Sequence, residues 1–196
     1  MYTTRRARFA IALLLIVTGL TGLYGSFQLV LDEFIKYEHP TKALTCDVSV
    51  FLSCSNVMTS WQGHLLGFPN PLLGMMGFVA PAAVGVAMLA GFRSTKWFST
   101  LFNAGLFAAW LLVTWLFTQA LWSIGYLCLW CMLVWSVTIP LFWVSSIWHT
   151  ATGVYGRRAA RIGQTLLPYS WAFVLTNYAV IIVSILAVFP TVLAAL

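Results

Sequence analysis

The sequence predicts an all-α integral membrane protein: a four-helix transmembrane bundle with a long outer loop and half-helix, plus a fifth transmembrane helix. Three observations predict it. Of the 196 residues, 61% are hydrophobic and only 7% are charged, whereas a soluble domain carries about a quarter charged residues. The apolar residues gather into five runs, each near the length of about 20 that crosses a bilayer as a helix. No Asp, Glu, Lys, Arg or His lies inside any of those runs. The same composition excludes a disordered chain, which would be polar and poor in aromatics. Ten cations scattered among apolar stretches make no phosphate-tracking stripe, so no nucleic-acid partner is expected.

The runs are Phe9–Leu31, Leu72–Gly91, Leu101–Leu121, Leu127–Ile147 and Trp171–Leu193. The first follows Arg5, Arg6 and Arg8 as a signal peptide would. Its 23 residues and the lack of an A-x-A site instead predict an uncleaved anchor. Gly19, Gly22 and Gly25 recur every third residue, a small-residue face suited to close helix contact. Pro71 falls in the first turn of the second run and Pro168 just before the fifth, where a missing N–H costs little. Pro81 and Pro140 lie inside runs and are expected to kink them. Residues 1–148 thus form the core, 149–170 a basic connection and 171–196 the fifth helix.

Charge predicts the topology. Eight of the ten cations sit on alternate connections: Arg5, Arg6 and Arg8; Arg93 and Lys96; Arg157, Arg158 and Arg161. By the positive-inside rule that side is cytoplasmic. The expected location is the plasma membrane, multi-pass, with the amino terminus inside and the carboxyl terminus outside. Trp97, Trp122, Trp148 and Trp171 fall at run boundaries, where indoles favour headgroups. His39 and His64 read as interfacial and His149 as cytoplasmic, none with metal spacing.

The outer loop, Asp32 to Pro71, has 40 residues, and connections that long are usually functional. From Ser55 onward Val57, Met58, Trp61 and Leu65 recur at helical spacing, which predicts a short amphipathic helix on the membrane face or capping the bundle.

The four cysteines carry the most information. Cys46 and Cys54 lie in the outer loop; Cys128 and Cys131 form C-L-W-C at the outer start of the fourth run. All four fall on the side where disulfides form and persist. Residues at i and i+3 share a helix face, so Cys128 and Cys131 can sit side by side. A helix amino terminus stabilises a thiolate there and raises its reactivity. A loop pair beside a helix-start pair fits a two-step relay by thiol–disulfide exchange. Two static disulfides, a four-thiolate zinc site or simple packing also fit these positions. No metal is expected, because Cys46 and Cys54 are too widely spaced for a zinc pair. A small transporter or scaffold with structural disulfides is the rival of another class. Transport pathways usually place an ionisable residue within a span, and none is present; Gln119 and Asn177 read as helix-packing polar residues.

Taken together, these residues resemble the vitamin K epoxide reductase family. The run Cys46-Asp47-Val48, Ser53-Cys54-Ser55 and Ser60 resembles its loop-cysteine signature. Phe68-Pro69-Asn70 with Leu73-Gly74 resembles its quinone-pocket segment, and Cys128-Leu129-Trp130-Cys131 matches its C-x-x-C. The resemblance covers roughly residues 9–148. It implies a four-helix bundle around a quinone near the outer leaflet, lidded by the loop and its half-helix. It implies that Cys131 is the quinone-reactive thiolate and Cys128 its resolving partner. Cys46 and Cys54 would then take electrons from a protein thiol, with Cys54 bonding transiently to Cys128. Asn70 would donate to a quinone carbonyl, and Ser60 would lie at the pocket. From the residues alone, Asn70 reads equally as a turn residue before Pro71, Ser60 as bonded within its helix, and Asp47 as a turn former.

The sequence departs from the family twice. Animal members have a tyrosine four residues after the second C-x-x-C cysteine, binding the second quinone carbonyl; here Trp135 stands there, with an indole N–H as donor. Many bacterial members continue into a fused thioredoxin-like domain; this chain is expected to lack one and to use a separate thioredoxin-like (DsbA-like) extracytoplasmic partner. The implied activity is a membrane thiol-disulfide:quinone oxidoreductase supporting disulfide formation, with menaquinone or a related vitamin K-type quinone. Reduction of a quinone epoxide is the alternative within the family.

Overall fold

The computed structural model describes residues 5–44, 46–47, 49, 51–92 and 94–189. Val48, Arg93 and the expected end of the last span at Leu193 lie outside the described residues. Among the described residues the regular structure is helical, apart from two isolated bridges.

The first helix outlasts its apolar run. α1 spans Arg5–Glu38, past Leu31, because the segment 32–38 holds no glycine or proline and the first breaker is Pro40. Lys36 in the last turn complements the helix dipole and donates to the Lys42 carbonyl at 3.3 Å. The expected half-helix is instead two short pieces: α2, Cys54–Met58, and a 3-10 turn, Trp61–His64. Between them Thr59 Oγ1 donates to the Ser55 carbonyl at 2.9 Å and Ser60 Oγ to the Val57 carbonyl at 2.6 Å, side-chain bonds that compete with helix continuation. The break changes the face presented to the bundle. Gln62 is buried, while Trp61 is 67% exposed.

α3 spans Asn70–Leu89 and α4 spans Lys96–Gln119, whose last turn widens into a π turn at Ala120–Ile124. Gly125 ends that turn at φ +74°, a left-handed conformation that suits a residue without Cβ. α5 spans Leu129–Ala151; α3 and α5 both run unbroken through Pro81 and Pro140. The basic connection is itself helical: α6, Arg157–Leu166, joins through a 3-10 turn to α7, Ser170–Val188. Five stretches are long and apolar enough to cross a membrane, namely Arg5–Glu38, Asn70–Leu89, Lys96–Ile124, Leu129–Ala151 and Arg157–Val188. The chain is therefore an all-α, multi-pass membrane protein.

Lipid tails are as apolar as the side chains, so helices associate here by close packing and hydrogen bonds rather than by leaving water. The glycine face of α1 supplies the close packing. A Cβ on Gly19 would stand 2.7 Å from the Ala82 amide nitrogen, and Gly22 leaves room for the Phe78 ring. Gly25 faces Leu133 and Val134 of α5, so α1 holds α3 and α5 together. α3 and α4 stand apart, with a cavity between them. α7 packs outside this core. Asn177 Oδ1 accepts from the Trp110 and Trp143 indoles at 2.9 and 3.2 Å, and the Tyr178 hydroxyl donates to the Ser136 carbonyl. Trp97, Trp122 and Trp171 are exposed, but Trp148 is buried in the bundle, where α6 covers the end of α5. His149 is also buried, with Nδ1 2.7 Å from the Ser145 carbonyl.

Candidate thiol–disulfide site and cavity

One carboxylate shapes the cysteine loop. Asp47 accepts from the Leu44 amide at 2.9 Å, the Ser53 hydroxyl at 2.9 Å, the Ser55 amide at 3.1 Å and the Ser55 hydroxyl at 2.5 Å. Burial pushes its pKa up, but the Ser55 hydroxyl, the Leu44 and Ser55 amides and the Ser53 hydroxyl outweigh it and hold it at about 2. Asp47 is thus the turn former that closes the loop, bringing the Cys46 and Cys54 Cα atoms to 5.8 Å in a disulfide. The pKa is lower when folded, so the clip contributes above the ordinary value of 3.8 and is lost as pH falls through about 2. Asp47→Asn should weaken the loop by about 1.5–3 kcal/mol, the worth of a hydrogen bond to a charged group. Faster reduction of Cys46–Cys54 by dithiothreitol at pH 7 than in the wild type would reveal it; an unchanged rate would refute the clip.

A two-residue bridge joins this loop to the start of α5. Ser53 N donates to Leu127 O at 2.9 Å and Leu127 N to Phe51 O at 2.8 Å, a parallel bridge centred on Leu52 and Leu127. Cys54 lies two residues beyond Leu52, and Cys128 follows Leu127 directly. Both are buried, at 0% and 1% exposure, in one apolar cluster with Cys46, Leu29, Leu44 and Met58. Ser53 also caps α2, its hydroxyl accepting from the Asn56 amide. Cys128 caps α5 in the same manner, its Sγ accepting from the Cys131 amide at 3.4 Å. Cys128 and Cys131 are free thiols.

A cavity of about 680 Å³ begins at these thiols and runs down the bundle to Phe98, Phe102 and Leu141. Cys128, Cys131, Ser60, Asn70 and Trp135 all line it; Cys46 and Cys54 do not. Cys128 is the common member, lining the cavity while packing against the loop cysteines. The rest of the wall is largely apolar, as expected of a pocket for a hydrophobic ligand with a small polar head.

The polar wall residues are held by the lid. Asn70 Nδ2 donates to the Gln62 carbonyl at 2.6 Å, and its Oδ1 accepts from the Leu65 amide at 3.1 Å. An amide NH₂ carries two hydrogens, so Asn70 clasps the lid with one and keeps a second donor. Ser60 bonds within its own turn. Trp135 packs edge-on against Phe117, ring centres 5.0 Å apart.

The sequence reading missed three members of this site. Gln62, 3% exposed, donates to Gln119 Oε1 at 3.3 Å and Ser123 Oγ at 3.1 Å, fixing the lid to the π turn. His64 Nε2 lies 3.1 Å from Glu33 Oε1, tying the lid to α1. Asp32, assigned to the loop, is a helical residue at 6% exposure, its Oδ2 3.5 Å from Cys46 Sγ. Its signal was present: Asp32 continues the buried stripe of Gly22, Gly25, Leu29 along α1.

No curated protein matches the chain. A sequence model described as the vitamin K epoxide reductase family matches residues 13–146, from within α1 to near the end of α5.

Proposed function

Because the chain belongs to the vitamin K epoxide reductase family, we propose that this membrane protein oxidises an extracytoplasmic thioredoxin-like protein and passes the electrons to a membrane quinone. Cys128 carries the reading: it lines the cavity and packs against the loop disulfide.

In the proposed cycle the partner's two thiols reduce Cys46–Cys54, and the partner leaves as a disulfide. The Cys54 thiolate then attacks Cys128 of an oxidised Cys128–Cys131 pair, forming Cys54–Cys128 and releasing Cys131 as thiolate. Cys46 attacks Cys54, restoring Cys46–Cys54 and releasing Cys128. The Cys128–Cys131 dithiol returns to its disulfide by giving up two electrons and two protons. Quinone in the cavity is the acceptor of both and leaves as hydroquinone. The described state, with Cys46–Cys54 formed and Cys128 and Cys131 reduced, corresponds to the point just before that last transfer. Asn70 and Trp135 would orient the head group, Asn70 by its second amide hydrogen. The gap between α3 and α4 offers a lateral path for a hydrophobic tail. Eight cations on alternate connections support an amino terminus in the cytoplasm and all four cysteines on the outer face.

The redox state of all four cysteines in native membranes tests this reading. With quinone present, the reduced Cys128–Cys131 fraction should fall; after quinone extraction both pairs should become reduced on adding a thiol partner. Pairs that stay oxidised and indifferent to quinone would instead identify structural disulfides and overturn the proposal.

A further inference from the structure

The loop disulfide must form and break in a pocket closed to water, yet each reduction leaves a sulfur that needs a proton. Asp32 Oδ2 is 3.5 Å from Cys46 Sγ, and the Asp32, Cys46 and Cys54 ligating atoms lie within 4.8 Å of one another. No cation pairs with Asp32 among the described residues. On α1, Glu33 is taken by His64 of the lid, and Lys36 is directed to Lys42 O. In the loop, the Asp47 carboxylate is bonded to Leu44, Ser53 and Ser55, and its like charge acts on Asp32. From α5, the buried Trp130 indole N–H faces the Asp32 carboxylate; Cys128 and Cys131 are the other titratable groups at that end. A buried carboxyl this close to a sulfur that must alternate between thiol and disulfide is unexplained by packing.

We propose that Asp32 is the proton acceptor and donor for Cys46. This rests on the relay proposed above. As Cys46 attacks the Cys54–Cys128 bond, its thiol proton passes to Asp32. The Cys46–Cys54 bond forms, the Cys54–Cys128 bond breaks and Cys128 leaves with the electron pair as thiolate. Cys46 is oxidised and Cys128 reduced. When a partner thiolate later attacks Cys54, the departing Cys46 thiolate takes the proton back. A carboxylate in water is a weak base toward a thiol, but Asp32, held 3.5 Å from Cys46 Sγ, needs to take the proton only as the new S–S bond forms.

The closing step can be measured without quinone. In full-length protein carrying Cys128→Ser and Cys131→Ser, the loop pair is reduced and charged with thionitrobenzoate at low pH. A pH jump then starts closure: one loop cysteine attacks the other, and coloured thionitrobenzoate is released. With Asp32 in place, closure should vary little between about pH 6 and 8. Asp32→Asn should slow it about 100-fold at pH 6.5, within the range of general base catalysis. The variant's rate should then rise about tenfold per pH unit toward the ordinary thiol value of about 8.5. Equal rates and slopes in the two proteins would overturn the role of Asp32. Should the Asn variant fail to fold, the Asp32 protein alone decides: a level profile supports the role, and a single ionisation near the free-thiol value removes it. Failure to reduce quinone in the unmodified protein would overturn the proposed function and leave this measurement standing.

Discussion

Cys131→Ala is expected to abolish quinone-dependent oxidation of a thioredoxin-like substrate. The loss should reach at least about a thousandfold, the scale on which removing a reacting nucleophile acts. Cys128 and Cys131 both line the cavity, and the Cys131 amide is bonded to Cys128 Sγ; in the proposed relay Cys131 is the thiol that meets the acceptor. Without Cys131, Cys128 can still attack Cys54 across the Leu52–Leu127 bridge, releasing Cys46 as thiolate. Cys46 attacks back and reverses that step, but in the Cys46→Ala, Cys131→Ala double variant no neighbouring thiol remains to break the bond, and a Cys54–Cys128 disulfide should build up on mild oxidation. Peptide mapping under non-reducing conditions would detect it. Full turnover in Cys131→Ala would rule out the relay; loss of turnover without the trapped bond in the double variant would rule out its order.

Gln62→Leu is expected to lower turnover at limiting quinone by roughly 10- to 100-fold, mainly through KM. Its side-chain amide ties the lid to Gln119 and Ser123, and its carbonyl holds Asn70. Leucine fills similar volume but leaves the half-buried Gln119 oxygen without the Gln62 donor. Such a group costs about 1–3 kcal/mol, and about 1.4 kcal/mol is a factor of ten. A lid loosened by that amount would expose the cavity mouth and free Asn70 from its position. Steady-state kinetics with a soluble short-chain quinone, alongside thermal melting in detergent, would measure both effects. Unchanged KM and melting temperature would mean that the lid does not control access.

The five spans were readable because hydrophobic length leaves little choice: backbone in lipid must bond within its own helix. The glycine face of α1 was readable for a related reason, since small residues at helical spacing have few other uses. Asn177 was correctly taken as a packing residue, and Asp47 as a turn former. Other features depended on contacts between distant segments. Periodicity from Val57 to Leu65 suggested one helix, but the chain breaks at Thr59 and Ser60, and Gln62 turns inward to bond Gln119 and Ser123. Trp148 looked interfacial because only its position along α5 was visible; in the fold it is buried in the bundle's apolar cluster. Asp32 looked like a loop charge because its neighbours are polar, although its spacing from Leu29 placed it on the buried stripe.

The sequence by itself determined that this chain crosses the membrane five times as helices, and set two cysteine pairs in its loop and at a helix start. Those features follow from composition and from periodicities local to each segment. Only the tertiary structure decided which sulfurs share a cluster, which thiols meet the cavity, and which carboxyl stands beside Cys46. Local patterns set what each segment becomes. The Leu52–Leu127 bridge and the α1 glycine face, which join residues far apart in the chain, set where each segment lies.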